Sequence, residues 1–141
     1  MARGRKGQSL IFEQVILFSI SVAIFLILAS VFSIYQTYYL TAAADNQLDQ
    51  TKEWVSSQIL EAAATGNATA SRILPIPREI GNAVYEVRLE QTGLRLTNLL
   101  TSKTSSSTLY SLNVTYSLSG TVNSLNGKIT IKKDAGQILL I

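Results

Sequence analysis

The sequence contains no cysteine and no histidine. Their absence excludes disulfide bonds, thiol nucleophiles, Cys-ligated zinc and the imidazole that most often acts as a catalytic base. A domain of this chain outside the cell would therefore be stabilised without disulfides. No cluster of acid, base and nucleophile stands out in residues 65–141 either. We therefore expect neither an enzyme nor a bound metal or cofactor.

Charged residues are missing from Gln14 to Ala44. Within that stretch, residues Val15–Ile34 are almost wholly apolar and include no proline or glycine. A helix of ~20 residues spans roughly 30 Å, the thickness of the hydrocarbon core of a bilayer. A buried helix of a soluble protein is the alternative, but the rest of the chain is too small to surround such a helix. The stretch predicts a membrane-spanning helix whose serine hydroxyls bond back to their own backbone.

The net charge of +3 is concentrated at the N-terminus. Three of the twelve cationic residues are Arg3, Arg5 and Lys6, and the other nine are balanced by nine acids. This balance does not favour a nucleic-acid-binding domain. Cations before a membrane span stay on the cytoplasmic side, so residues from about Thr37 onward are predicted to lie outside the cell.

The predicted helix continues beyond the apolar stretch. Residues 40–64 contain no proline or glycine, and Gly66 supplies a stop signal. Apolar residues recur in this part at the spacing of one helical face. They are Ala44, Leu48, Val55, Ile59 and Ala62. We expect one helix from about Ser9 to Ala64, apolar all round in its first half and amphipathic in its second.

The remaining residues predict a small β domain. Both prolines lie in residues 65–82, which we expect to be a loop. Five or six antiparallel strands follow, with 101–108 as a polar loop and 108–120 as one strand. Alternation in the first strand turns Tyr85, Val87 and Leu89 to one face. The predicted turns are Thr92–Gly93, Asn126–Gly127 and Ala135–Gly136.

The predicted fold class is α+β. A sheet of about 60 residues has a marginal core on its own, and packing on the amphipathic half of the helix would supply its second layer. The chain then divides into a cationic segment (1–7), a long hydrophobic to amphipathic helix (8–64) and an extracellular antiparallel β domain (65–141).

The segment RKGQSLIFE places cations and a glycine directly before the apolar helix. An export signal is usually cut after its apolar region at small residues, and no such site is well placed here. A cut between Gly7 and Gln8 would instead remove the cationic leader and keep the helix. In Lys6, Gly7, Gln8, Ser9 and Leu10 the chain resembles the archaeal type IV pilin-like family, whose leaders are removed by a prepilin peptidase. The resemblance covers residues 1–60, and its alternative is an uncut membrane anchor.

Glu13 is a carboxylate about one turn inside the apolar helix, where a charge is costly without a partner or a role. The resemblance implies that Glu13 neutralises the new α-amine of Gln8 on a neighbouring subunit. Bacterial pilins carry a carboxylate at the fifth residue of the processed chain, whereas Glu13 would be the sixth. The alternative is a glutamate at headgroup level near the helix N-terminus. The helix residues expected to mediate filament assembly are Glu13, Val15, Leu17, Ile24 and Leu26.

Two N-glycosylation sequons begin at Asn67 and Asn113. Asn67 follows the predicted helix in a loop, whereas Asn113 lies on the polar face of a predicted strand. Both would lie outside the membrane. Each is a candidate acceptor, although sequons also arise by chance in a chain rich in Ser, Thr and Asn.

Two functions remain open. The resemblance implies a pilin that is inserted in the cytoplasmic membrane with its β domain and the amphipathic half of its helix, together called the head, outside. The prepilin peptidase would cut the chain, which would then assemble with copies of itself into a helical surface filament. The alternative is an accessory or stator-type protein of a pilus or archaellum, which stays in the membrane and contacts surface-layer proteins. No nucleic acid is an expected partner of either.

Overall fold

The computed structural model describes residues 4–65 and 69–141, with side chains described from Leu10 onward. The chain forms two compact units, residues 1–40 and Thr41–Ile141. Helix α1 covers Gly4–Ala64, so its first part belongs to the first unit and its last part to the second. The predicted helix end at Ala64 is confirmed. The helix starts earlier than the predicted Ser9, because no proline intervenes between Gly4 and Ser9 to stop it.

Seven strands and a short helix follow α1. The strands are β1 (Ala70–Pro75), β2 (Tyr85–Glu90), β3 (Gly93–Asn98), β4 (Thr104–Thr108), β5 (Ser117–Asn123), β6 (Lys128–Asp134) and β7 (Gln137–Leu140). Helix α2 covers Tyr110–Asn113, and a 3-10 turn covers Ser124–Asn126. The strands form one sheet in the order β1-β6-β7-β5-β2-β3-β4. The predicted α+β class is therefore confirmed.

The last part of α1 packs on one face of the sheet. Leu48, Val55 and Ile59 are buried, and Ala44 is half-buried, as their spacing predicted. The buried strand residues alternate along each strand, and they include Tyr85, Val87, Leu89, Leu94, Leu96, Ile129, Ile131, Ile138 and Leu140. All of these side chains form one hydrophobic cluster. The helix thus gives the sheet the second layer that its size requires.

The prediction of a purely antiparallel sheet is wrong in one place. β7 pairs with β6 antiparallel through the Ala135–Gly136 turn but with β5 parallel, in the register Ser117↔Gln137. β7 therefore lies between two strands that precede it in the chain. Local turn signals predict that consecutive strands are neighbours, so they do not reveal this insertion. Gly120 of β5 has no room for a Cβ, which would lie 2.3 Å from the carbonyl oxygen of Leu140.

Three local predictions are also wrong. Strand β1 lies in the stretch 65–82 that we expected to be a loop; it is an edge strand with Pro75 at its end, where the missing N–H is tolerated. The expected loop 101–108 contains β4, the opposite edge. The expected strand 108–120 is confirmed only from Ser117, where β5 begins; before it, Leu109 and Leu112 are buried at helical spacing around α2, and Val114 is 88% exposed.

Turn positions differ only slightly from those predicted. Glu90 pairs with Gly93, so the β2–β3 hairpin loop is Gln91–Thr92, one residue before the predicted turn. The turn before β6 is the 3-10 segment, and Gly127 ends it with φ of 64°. The Ala135–Gly136 turn is confirmed by the pairing Asp134↔Gln137.

Candidate membrane and assembly segment

The first unit presents an apolar surface. Every side chain from Leu10 to Leu40 is exposed. The large apolar side chains among them are between 40% and 71% exposed, from Val22 to Phe18 and Ile34. Among the described residues, one helix, which contains this stretch, is long and apolar enough by length and composition to cross a membrane. A continuous apolar surface of this extent needs an apolar environment, either lipid or other protein.

Polar groups inside this stretch are satisfied by the helix itself. Ser19, Ser21 and Ser30 each donate a hydrogen bond of 2.8 Å to the carbonyl oxygen four residues before. Thr37 donates one of 3.0 Å to the carbonyl of Ser33. The predicted back-bonding of the serines is confirmed at three positions. The hydroxyls therefore add little cost when the helix enters an apolar environment.

The predicted assembly residues lie on two sides of the helix. Glu13, Val15, Leu17, Ile24 and Leu26 are all exposed. At about 100° per residue, Val15 and Leu26 share one side, whereas Glu13, Leu17 and Ile24 share the opposite side. The five predicted assembly residues therefore do not lie on one face of the helix. A packing arrangement that used all of them would need neighbours on both sides.

The predicted cleavage site lies within α1. The backbone of Lys6, Gly7 and Gln8 is helical, and their side chains lie outside the described residues. Cleavage between Gly7 and Gln8 stays a prediction. A protease that reads extended backbone would first have to unwind this turn, and Gly4 and Gly7 weaken it because glycine is unfavourable inside a helix.

The structure describes one of the two sequon asparagines, Asn113. Asn67 lies outside the described residues. Asn113 is the last residue of α2 and is half-buried, so its expected place on the polar face of a strand is wrong. The carbonyl of Asn113 accepts a 3.0 Å hydrogen bond from Gln91 Nε2, which ties the end of α2 to the β2–β3 hairpin. Modification of either asparagine stays a prediction.

A buried lysine closes the C-terminal end of α1. Lys133 on β6 is 2% exposed, and its Nζ donates a 3.1 Å hydrogen bond to the carbonyl of Ala63. The same ammonium lies 5.3 Å from the ring centroid of Tyr116, whose hydroxyl donates to that carbonyl at 3.4 Å. A cation is favoured there because the carbonyls in the last turn carry the negative end of the helix dipole. Strand alternation from Ile129 and Ile131 already places position 133 on the buried face, a signal that sequence reasoning missed.

Polar contacts also join α1 to the β4 edge of the sheet. Lys103 bonds to Asp45, and Ser105 bonds to Asp49. Lys52 lies 3.2 Å from Asp49 on the helix. The Ser105 hydrogen bond, followed by that of Lys52, lowers the pKa of Asp49 below its usual value. These exposed contacts orient the helix on the sheet more than they stabilise it.

A buried tyrosine links the sheet to the proline segment. The Tyr85 hydroxyl donates a 2.7 Å hydrogen bond to the carbonyl of Pro77, and burial raises the pKa of this phenol. Beside that segment lies an open, mainly apolar groove of about 260 Å³, lined by Gln50, Thr51, Trp54, Pro75 and Pro77. No charged side chain is among these lining residues.

Comparison of the chain with protein-family models, with curated proteins and with solved structures found no match. The resemblance to archaeal type IV pilin-like proteins therefore rests on the leader motif at residues 6–10 and on the apolar helix that follows.

Proposed function

We propose that this protein is a structural subunit of a type IV pilus-like surface filament of the archaeal kind. It is inserted in the cytoplasmic membrane with residues 41–141 outside, and a prepilin peptidase cuts it between Gly7 and Gln8. Copies of the processed chain then assemble through the apolar part of α1. The observation that carries the proposal is the division of one helix into an exposed apolar part and a part built into a folded domain.

This division suits a subunit that must leave the membrane as an intact unit. The apolar part, Leu10–Leu40, keeps its side chains available for neighbours, and its serines are already bonded internally. The last part of α1 is anchored by Leu48, Val55 and Ile59 in the core of the head. The same helix therefore supplies both the apolar part and a buried face of the head.

Assembly has to compete with lipid. Burial of a large apolar side chain from water contributes about 1.5–3 kcal/mol, but lipid already provides an apolar environment, so the gain on moving into a filament is smaller. Close packing of helices and pairing of Glu13 with a neighbouring α-amine would supply the difference. Placing a carboxylate in an apolar environment costs free energy unless the charge is paired. The need for this pairing would give Glu13 a role in fixing the register of neighbouring subunits.

The second candidate is a membrane-resident accessory protein of a pilus or archaellum that contacts the surface layer. The length of the apolar part of α1 favours it equally, because such a helix also serves as a permanent anchor. The two candidates differ in the location of the mature protein.

An intact mass of the protein from sheared, pelleted cell-surface filaments, measured beside that from the membrane fraction, separates the two. The pilin proposal expects abundant protein in the filaments with its N-terminus at Gln8. Mass in excess of the processed chain would report glycan at Asn67 or Asn113. Protein found only in the membrane would refute the filament proposal: a start at Gln8 there would favour the accessory protein, and a start at Met1 or Ala2 a plain anchor.

Two variants test the proposed pairing of Glu13 in the same experiment. Glu13→Gln removes the charge and keeps the shape, so it should lower the amount of filament and leave the amount in the membrane unchanged. Glu53→Gln on the same helix is a matched control, because Glu53 is exposed and lies outside the apolar part. Equal filament yields from the two variants would contradict the proposed pairing of Glu13.

A further inference from the structure

Three leucines are exposed on turns of the head. Leu99 and Leu100 follow β3 and are 53% and 76% exposed, and Leu125 in the 3-10 turn is 58% exposed. We call these three residues the leucine tip. None of them contributes to the hydrophobic cluster beneath α1.

The strand register places the tip at one end of the sheet. Tyr85 at the start of β2 pairs with Asn98, and the Leu99 N–H donates a 3.0 Å hydrogen bond to the carbonyl of Val84. The Tyr85 N–H donates a 3.1 Å hydrogen bond to the hydroxyl of Ser124. The β3–β4 turn and the 3-10 turn therefore flank the same strand end.

This is also the end at which α1 enters the domain. Lys103, just after the β3–β4 turn, bonds to Asp45. Asn98 Nδ2 donates a 3.5 Å hydrogen bond to the carbonyl of Ile80, and a Cβ on the next residue, Gly81, would lie 2.6 Å from the Cβ of Ala44. The C-terminal end of α1 lies at the opposite end of the sheet, where Lys133 bonds to Ala63.

The end of the sheet that carries the tip follows the apolar stretch closely in sequence. Ala44 is four residues after Leu40. Four residues span at most about 14 Å even when fully extended. When residues 10–40 cross a bilayer, Ala44, at the same end of the sheet as the leucine tip, therefore lies within about 14 Å of the last crossing residue.

The charges beside the tip fit such a surface. Arg78 and Lys128 are exposed and flank Gly127 at the end of the 3-10 turn, and a Cβ on Gly127 would lie 3.1 Å from Arg78 Nε. One exposed carboxylate, Glu79, accompanies them. Apolar side chains between basic ones are typical of segments that lie in the boundary between lipid headgroups and acyl chains. Long basic side chains reach the headgroups while leucines enter the apolar layer.

We propose that the leucine tip inserts into the interface of the bilayer in which the apolar part of α1 is anchored. The partner is the lipid surface, and the contact fixes how the head stands on the membrane before assembly. The inference rests on the membrane-inserted stage of the proposed function and not on filament formation. Three leucines are few for a protein partner, since a standard interface buries about 800 Å² on each side. A lipid surface needs no such complementary area.

The absence of cysteine makes a direct test simple, since a single introduced cysteine is the only labelling site. The full chain is reconstituted in vesicles of phosphatidylcholine and phosphatidylglycerol as Leu100→Cys, Leu125→Cys or Val114→Cys, each carrying a polarity-sensitive fluorophore. Val114 is the matched control: it is also a highly exposed apolar residue on a turn, but it precedes Ser117, which pairs with Gln137 at the opposite end of the sheet.

Quenching by lipids that carry a nitroxide near the headgroup is then measured for each variant. Insertion by roughly 5–10 Å should make quenching at positions 100 and 125 at least about twofold stronger than at position 114. Equal quenching at the three positions would overturn the inference. A label at position 100 that is shielded from water but not quenched would also overturn it, because another copy of the protein would then cover the tip.

Flotation of the same vesicles at alkaline pH separates this inference from the proposed function. Chains that float, with position 100 quenched no more than position 114, refute the leucine tip alone. Chains that do not float are not inserted, which refutes both the membrane stage of the proposed function and the contact of the tip.

Discussion

Removal of the buried charge on Lys133 should destabilise the head. In Lys133→Met the aliphatic stem is kept, but the hydrogen bond to Ala63 and the contact with the Tyr116 ring are lost. A hydrogen bond from a charged group contributes about 1.5–3 kcal/mol, and a cation at a partly buried helix C-terminus contributes up to about 2 kcal/mol. The contact with the ring adds about 0.5–2 kcal/mol.

The opposing term is the desolvation of the ammonium, which costs several kcal/mol in a buried site. Methionine removes this cost together with the favourable contacts. The carbonyl of Ala63 also keeps its hydrogen bond from the Tyr116 hydroxyl. The net expected loss in the free energy of unfolding is therefore about 1–3 kcal/mol, smaller than the sum of the separate contributions.

Denaturant titration of the full chain in detergent micelles provides the assay. Trp54 is the only tryptophan and lies on the part of α1 that belongs to the head, so its emission reports unfolding there. Lys132→Met is the matched control, because Lys132 is the exposed neighbour on the same strand. If Lys133→Met were as stable as wild type, or more stable, desolvation would outweigh the contacts and the reasoning would be refuted.

Three further perturbations test the packing of the head. Ile59→Ala should cost about 2–5 kcal/mol in denaturant titration, because Ile59 is fully buried, whereas Leu60→Ala beside it should cost little. Gly81→Ala should cost about 1–3 kcal/mol and lower the thermal midpoint, because Gly81 has φ of 60° and no space for a Cβ. Ser105→Ala should destabilise the protein at neutral pH but not at strongly acidic pH. Its hydrogen bond lowers the folded-state pKa of Asp49 below 3.8, so this stabilisation is present above the unfolded pKa and is lost as pH falls through the folded pKa.

A second glycine provides the control for Gly81→Ala. Gly136→Ala also changes a glycine with positive φ, but a Cβ there would meet nothing within 4 Å, so its cost should be smaller than that of Gly81→Ala. Equal costs would mean that backbone strain alone matters at Gly81. A Ser105→Ala variant whose stability follows that of wild type at every pH would show that Ser105 does not act through Asp49.

Sequence patterns predicted the elements whose periodicity is governed by burial. The face of α1 that contains Leu48, Val55 and Ile59, and the inward face of β2, follow directly from the spacing of apolar residues. Prediction was wrong where two periods fit the same residues. In residues 108–116 the alternation of a strand and the i, i+3 spacing of Leu109 and Leu112 are both present, and tertiary burial favours the short helix there, whereas 117–120 form a strand as predicted.

Long-range pairing could not be predicted from local signals. β4 consists only of Ser and Thr residues, and its edge position depends on its pairing with β3 and on contacts with α1. The alternation of β6 places Lys133 on the buried face, but its partner, the carbonyl of Ala63, depends on where α1 ends above β6, which the sequence of β6 does not reveal. Within the candidate assembly segment, Glu13 and the apolar residues are exposed, and their predicted role in assembly stays a prediction.

The position of β7 between β5 and β6 determines when the head can fold. β5 and β6 are both synthesised before β7, and the gap between them is filled only when β7 arrives. The apolar segment of α1 is synthesised first and would enter the membrane while most of the head is still unmade. Under the proposed topology, nearly the whole head would therefore cross the membrane as an open chain before its sheet closes. Until β7 is added, β5 and β6 leave a gap in the sheet, and the incomplete head should be sensitive to proteases.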